Sequence, residues 1–162
     1  MDFLIDILTN YPLMSAGCGW FAAQILKTTT GVFRIKKFSL TELFFGTGGM
    51  PSSHAASVSA LACACAIKEG VHSPFFAISL VLALIVMRDA MGVRRQIGEH
   101  AKALNMLIVK FFSSKNDPAN TEKMFTELAG HTPLQVFFGS LLGVSIALLM
   151  SFIPAFGVVL FK

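Results

Sequence analysis

The chain has 162 residues, 54% of them hydrophobic and 14% charged, with a formal net charge of +4 and a mean hydropathy of +0.69. Soluble domains carry about 25% charged residues, so this apolar excess is too large for one water-soluble core and points to a bilayer. The positive charge does not point to nucleic acid, because the basic residues fall between apolar segments and no basic helix interleaved with aromatics is present.

The N-terminal MDFLID lacks the basic n-region of a secretory signal, and the length suits a single membrane domain, 1–162. Residues 11–26, YPLMSAGCGWFAAQIL, are uncharged and flanked by Asp6 and Lys27. With the preceding FLIDIL they are long enough to cross a membrane. Residues 55–67, AASVSALACACAI, are small and apolar, and residues 74–87, PFFAISLVLALIVM, are strongly apolar. Both fall short of a span of ~20 residues. Each therefore uses its polar flank to complete the crossing or runs as an inner helix shielded by the others. Residues 134–161 are uncharged and clear that length, with Pro154 expected to kink the helix.

Between Gly92 and Gly130 the chain turns polar. There Ile97, Ala101, Leu104, Ile108 and Phe111 recur at steps of four and three, one stripe of an amphipathic helix. Such a helix suits either the membrane interface or a seat on the bundle. The following SSKNDPANTEK reads as a loop. Cys18, Cys63 and Cys65 sit in apolar segments and read as small buried residues, not a disulfide framework or metal knuckle. No stretch reads as a strand. The expected fold is all-α: an integral membrane helical bundle of about four to five membrane helices plus one amphipathic helix.

Alternate crossing gives the bundle a sidedness. Lys27 ends the first span, PSSH opens the second, Arg88 and Asp89 end the third, and Gly130-His131 opens the fourth. All four ends then lie on one side. The stretches 27–53 and 88–130, read as loops, carry eleven Lys and Arg, whereas the other side carries only Lys68 and Lys162. The positive-inside rule makes the basic side cytoplasmic. That face gathers His54, His100 and His131, while His72 falls opposite. It also gathers Lys27, Arg34, Arg94 and Arg95, and the stretch GTGGMPSSHAA at 46–56. Ser52 and Ser53 are placed to cap the second helix, leaving N–H groups at its positive end. A helix start preceded by glycines is a ready anion site, and Lys and Arg add donors matched to phosphate. Two histidines can supply the rest, one attacking phosphorus and one protonating the leaving oxygen.

PSSH resembles the PSGH motif of the type 2 phosphatidic acid phosphatase and vanadium haloperoxidase superfamily. Lys27 followed seven residues later by Arg34 fits that superfamily's KxxxxxxRP, with Ile35 in place of the proline. Its third motif, SRxxxxxHxxxD, is broken up. Arg94 and His100 fit RxxxxxH, but Leu104 stands where Asp belongs. Farther on, GHTPLQVFFGSLLG resembles the end of that motif, with His131 at the histidine and Gln135 at the aspartate. The whole pattern, GGMPSSHAA, then RDAMGVRRQIGEHA, then GHTPLQVFFG, is similar to the divergent acid phosphatase/vanadium haloperoxidase-related family over nearly the full chain.

The resemblance implies a phosphatase site. His131 would be the nucleophile forming a phosphohistidine, with His100 as the alternative. His54 would protonate the leaving group and later activate water. Lys27, Arg34 and either Arg94 or Arg95 would hold phosphate oxygens together with Ser52 and Ser53. Gln135 carries no charge to stabilise an imidazolium, and exchanging such a carboxylate for its amide in a serine protease triad costs about 10⁴ in turnover. Asp89, Glu99 and Glu127 on the same face are the alternative carboxylates. The implied activity needs no metal or other cofactor, and its partners are membrane lipid and a lipid phosphate.

Three other readings compete. His54, His100 and His131 with Asp89 or Glu99 suggest a metal site, but without a tight ligand spacing such as HExxH. Ser52 or Ser53 as a hydrolase nucleophile lacks a GxSxG context. A noncatalytic protein that keeps the fold and binds anionic lipid uses the same face without turnover.

Overall fold

The structure is a computed structural model that describes residues 2–35, 50–112 and 131–156. Its helices are α1 (Asp2–Leu8), α2 (Tyr11–Ile35), α3 (Ser53–Glu69), α4 (Pro74–Met91), α5 (Val93–Phe112) and α6 (Pro133–Ser151), followed by a 3-10 turn at Pro154–Phe156. Among the described residues there is no strand, so the fold is all-α as the sequence predicts. The glycine turn at 46–49, the loop after Phe112, Glu127 and Gly130 lie outside the described residues.

Local chemistry sets the boundaries. Asn10 breaks the first apolar stretch, its Oδ1 accepting the Leu13 N–H at 3.2 Å as a cap for α2. Ser73 caps α4 by accepting the Phe76 N–H at 3.2 Å, and Pro74 occupies the first helical position, where a missing N–H costs nothing. Gly70 ends α3 with φ 84°, a conformation that favours glycine.

Two boundaries differ from the sequence reading. The stretch after Lys27, expected to be loop, is helical through Ile35. Thr28 and Thr29 turn their hydroxyls back on the carbonyls of Gln24 (2.7 Å) and Ile25 (3.1 Å), which satisfies them inside the helix. The last apolar run is not a long helix kinked at Pro154. α6 stops at Ser151, and the N–H groups of Phe152 and Ile153 close onto Leu149 and Met150 (3.3 and 3.1 Å). Proline cannot continue the hydrogen-bond ladder and forces the preceding residue away from helix.

α3 is the central helix, with α2, α4 and α6 packed around it. The contacts are made by small residues. On α6, Gly139 and Gly143 abut α3. A Cβ on Gly139 would collide with the Ser52 carbonyl oxygen, and one on Gly143 with the Ala56 carbonyl oxygen. On α2, a Cβ on Gly19 would meet Ala56 O at 3.0 Å and Ala60 Cβ at 3.1 Å. Ser57 Oγ donates to Ala16 O at 3.1 Å across that same seam. The inner cluster is Tyr11, Ala60, Ala64, Ala147 and Met150, with Tyr11 Oη donating to Ala147 O at 2.7 Å.

The large side chains point outward instead. Phe75, Ile78 and Ile85 on α4 and Leu134, Phe137 and Leu149 on α6 are all exposed. Soluble monomers rarely expose contiguous apolar patches beyond a few hundred Å². Small residues inside and large ones outside is the pattern of helices packed in lipid. Two helical stretches, one beginning at Pro74 and the other at Pro133–Ser151, are long and apolar enough to cross a membrane. α3 is the inner, shielded helix of the two alternatives for 55–67, since eight of its residues are buried.

The contacts also fix direction. Ser52 meets Gly139 and Ala56 meets Gly143, so α3 and α6 run parallel. Tyr11 lies by Ala60 and Ala64 while Gly19 lies by Ala56, so α2 runs opposite to α3. Met87 accepts from Ser140 at 3.1 Å and Ala90 O accepts from His131 N at 3.1 Å, so α4 runs opposite to α6. The starts of α3 and α6 and the ends of α2 and α4 therefore meet at one end of the bundle, as alternate crossing predicts.

Candidate active site

That end is built on two helix starts. Ser52 is the N-cap of α3 and is fully buried. Its Oγ accepts the Ala55 N–H at 3.4 Å, and its own N–H donates to Gln135 O at 3.1 Å. The α6 start is a capping box. Gln135 N donates to Thr132 Oγ1 at 3.4 Å and Thr132 N donates to Gln135 Oε1 at 2.9 Å. Gln135 thus holds both helix starts, α6 by its side chain and α3 by its carbonyl. This places its side chain in a role that the resemblance does not imply, because the oxygen assigned to the imidazole is already bonded to Thr132.

Two histidines project where these starts meet. His131 is 8% exposed, and its N–H is held by the Ala90 carbonyl at the end of α4. His54, in the first turn of α3, is exposed. Their ring centroids lie 6.3 Å apart with an interplanar angle of 82°. His131 is buried and held through its backbone N–H, whereas the His54 side chain is exposed.

The other sequence candidates divide. Ser53 is buried beside Ser52. Lys27 lies just past the uncharged stretch 11–26 and is half-buried. Burial pushes its ammonium below the ordinary lysine range. It stands two turns beyond Gly19, or about 12 Å along the axis, and since Gly19 meets Ala56 only three residues into α3, Lys27 lies more than one turn beyond the start of α3. Arg34 follows on the same helix. Seven residues is nearly two full turns, so the backbone positions of Lys27 and Arg34 share one side of α2. Asp89 is half-buried next to Ala90, the residue whose carbonyl holds His131. His100 and Glu99 are exposed on α5. The side chains of Arg34, Arg94 and Arg95 lie outside the described residues.

Two rival readings find no geometry. Among the described residues no three His, Cys, Asp or Glu side chains gather as a ligand set. Ser52 Oγ is a buried cap and not an accessible nucleophile. The sequence reading missed Thr132 and the second function of Gln135, although T-x-x-Q ahead of an apolar run is a legible capping-box signal. It also missed the Ala90 carbonyl, a backbone partner that no side-chain pattern reveals.

Comparison with known proteins gives the family. The profile of the Divergent PAP2 family matches residues 8–146. The chain is 37% identical over 156 residues to an uncharacterized membrane protein, YuiD, of Bacillus subtilis (strain 168), covering 91% of this chain and 98% of that protein. No solved structure matches. With most of its length under that profile and a full-length relative, this membrane protein belongs to the divergent PAP2 family.

Proposed function

We propose that this protein is a membrane-embedded phosphatase that hydrolyses a lipid phosphate monoester or diphosphate through a phosphohistidine. The observation that carries the reading is the His54–His131 pair, 6.3 Å between ring centroids, at the joined starts of two parallel helices. A phosphoryl group between two histidines needs an attack distance of about 3–3.5 Å on one side. On the other it needs a hydrogen bond of about 2.6–3.2 Å to the leaving oxygen. Taken in line, these two distances and the P–O bond between them exceed the 6.3 Å between ring centroids, so the exposed His54 ring must swing outward to admit the phosphoryl group.

In the first step a ring nitrogen of His131 forms a bond to phosphorus, the P–O bond to the lipid alcohol breaks, and His54 gives its proton to the departing oxygen. In the second, His54 takes a proton from water, the water oxygen bonds to phosphorus, and the N–P bond breaks to release phosphate. Lys27 and the N–H groups at the α3 start, with Arg34, Arg94 and Arg95 nearby in the chain, supply positive charge for the phosphate oxygens. The lipid substrate follows from position, because an anion site at helix ends among exposed apolar faces suits a molecule anchored in the bilayer. The basic face is the cytoplasmic one by the count of Lys and Arg.

A second reading is favoured by Gln135. With that residue engaged in the helix cap, the site has no carboxylate in the position the superfamily uses, and a protein that binds anionic lipid without turnover keeps the same face. Phosphate release from a panel of lipid phosphates in detergent micelles with EDTA separates the two. Release by the wild type that disappears in both His131→Ala and His54→Ala supports hydrolysis. A folded wild type that releases no phosphate from any of them refutes it and leaves the binder.

A further inference from the structure

α5 carries an apolar face that the bundle does not cover. Val93, Ile97, Leu104 and Leu107 are exposed, at 57%, 47%, 45% and 49%. At about 100° per residue these four positions fall within one third of the helix circumference. Lys102 is exposed on the opposite side, and Glu99 and Lys110 are exposed on the flank away from the residues that α5 buries. Among the described side chains, those that α5 buries are a third set, Gly98, Ala101 and Asn105. Their direction is roughly a quarter-turn from the centre of the apolar face. The apolar stripe expected from the sequence is therefore not the surface that packs on the bundle. Ala101 alone serves both.

We infer that α5 lies in the plane of the membrane, with Val93, Ile97, Leu104 and Leu107 sunk into the acyl boundary of a leaflet rich in anionic lipid. Three observations support this occupant. First, α5 is too charged to cross: Arg94, Arg95, Glu99, Lys102 and Lys110 stand within its 20 residues, and each such charge at the centre of a span is costly. Second, the quarter-turn offset is the arrangement an in-plane helix needs. Its flank rests on an upright bundle while its apolar face turns toward the hydrocarbon. α4, which packs against α5, also exposes large apolar side chains, Ile78, Val81 and Ile85. Third, four basic residues against one acidic residue give α5 a net positive charge, which anionic headgroups attract. Gly92, with φ −100° and ψ −90°, lies between the two helices, its N–H closing onto Arg88 O at 2.9 Å.

The consequence reaches the histidines. α5 begins three residues after Ala90, whose carbonyl holds His131. An in-plane α5 fixes the end of α4, and with it the histidine pair, at headgroup depth. This stands whether or not the pair hydrolyses anything.

Spin labels on single cysteines test it in the full-length protein, with Cys18, Cys63 and Cys65 replaced by alanine. Labels at Ile97, Leu104 and Leu107 are compared with labels at Glu99, Lys102 and Met106 in phosphatidylglycerol vesicles, using oxygen and an aqueous nickel chelate as collision partners. The expected result is three oxygen-accessible, nickel-shielded positions at one common shallow depth and three nickel-accessible positions. A depth that grows from Ile97 to Leu107 by about 15 Å, the rise of ten helical residues, would mean that α5 crosses and overturns the inference. Nickel access at all six positions overturns it in favour of a solvated helix. Shielding from both partners at the apolar positions overturns it in favour of a protein contact. Repeating the measurement in phosphatidylcholine should move the apolar labels toward water, and identical depths there overturn the anionic preference.

Discussion

Gly143 tests how the bundle is held together. A Cβ at this position would run into the Ala56 carbonyl oxygen, whereas one at Gly17 has nothing within 4 Å. Both glycines are helical, so both alanine variants gain the same helix preference, about 0.5–1 kcal/mol. The difference between them isolates the contact. Relieving the clash requires α6 to move from α3 by something on the order of 1 Å, or the helices to distort, and overpacking of this kind costs about 1–3 kcal/mol. Gly143→Ala should therefore be less stable than Gly17→Ala by about that amount, a factor of roughly 5–30 or more in the unfolding equilibrium. Unfolding in mixed dodecylmaltoside and sodium dodecylsulfate micelles, followed by the single tryptophan, Trp20, reads it directly. Equal stability of the two variants would refute close glycine packing as the origin of the α3–α6 contact.

Three further outcomes follow from single groups. Gln135→Glu keeps an acceptor for the Thr132 N–H and adds negative charge at a helix start, so stability should hold or rise, while Gln135→Leu should lose about 1 kcal/mol. Equal stability of the two in the same unfolding assay would refute the capping role. Tyr11→Phe removes the donor to Ala147 O and should cost about 0.5–1.5 kcal/mol; an unchanged unfolding midpoint would show that the bond contributes nothing. For Lys27, burial lowers the folded value below the unfolded 10.5, so between those values the folded chain binds fewer protons and stability rises with pH. Below the folded value the penalty is fully present. Lys27→Met should then be the more stable protein at low pH, with its advantage shrinking as pH climbs toward 10.5, and a pH-independent difference would refute the desolvation argument.

Much of the fold is legible in the sequence because its punctuation is local. Ser52, Ser73 and Gly70 each mark a helix end by chemistry confined to one turn. The meeting of the four helix ends is legible for a different reason, since alternate crossing leaves few choices. Three features resist sequence reading. Thr28, Thr29 and Gly31 look like a break, but hydroxyl bonds to the previous turn keep α2 helical to Ile35. Gln135 matches a catalytic aspartate by motif position, yet the T-x-x-Q signal at the same place describes what its side chain does. In α5 the periodic stripe is real, but periodicity states only that one face is apolar. It does not state whether protein or lipid lies against that face.

The parallel course of α3 and α6 makes the end of the bundle more than a meeting of loops. Adjacent helices in short-looped bundles usually alternate in direction, which sets each positive start beside a negative end. Here two starts lie together, joined by the Ser52 N–H to Gln135 O bond. Each contributes about half a positive charge. The ends of α2 and α4 lie at the same end of the bundle with the opposite partial charge, and the close fit of Gly139 and Gly143 against Ser52 and Ala56 holds the two starts together. Glycine packing thus brings two helix starts, with His54 and His131 on them, to one end of the bundle. The remaining N–H groups of those two starts are the candidate contacts for the anion that the proposed function requires.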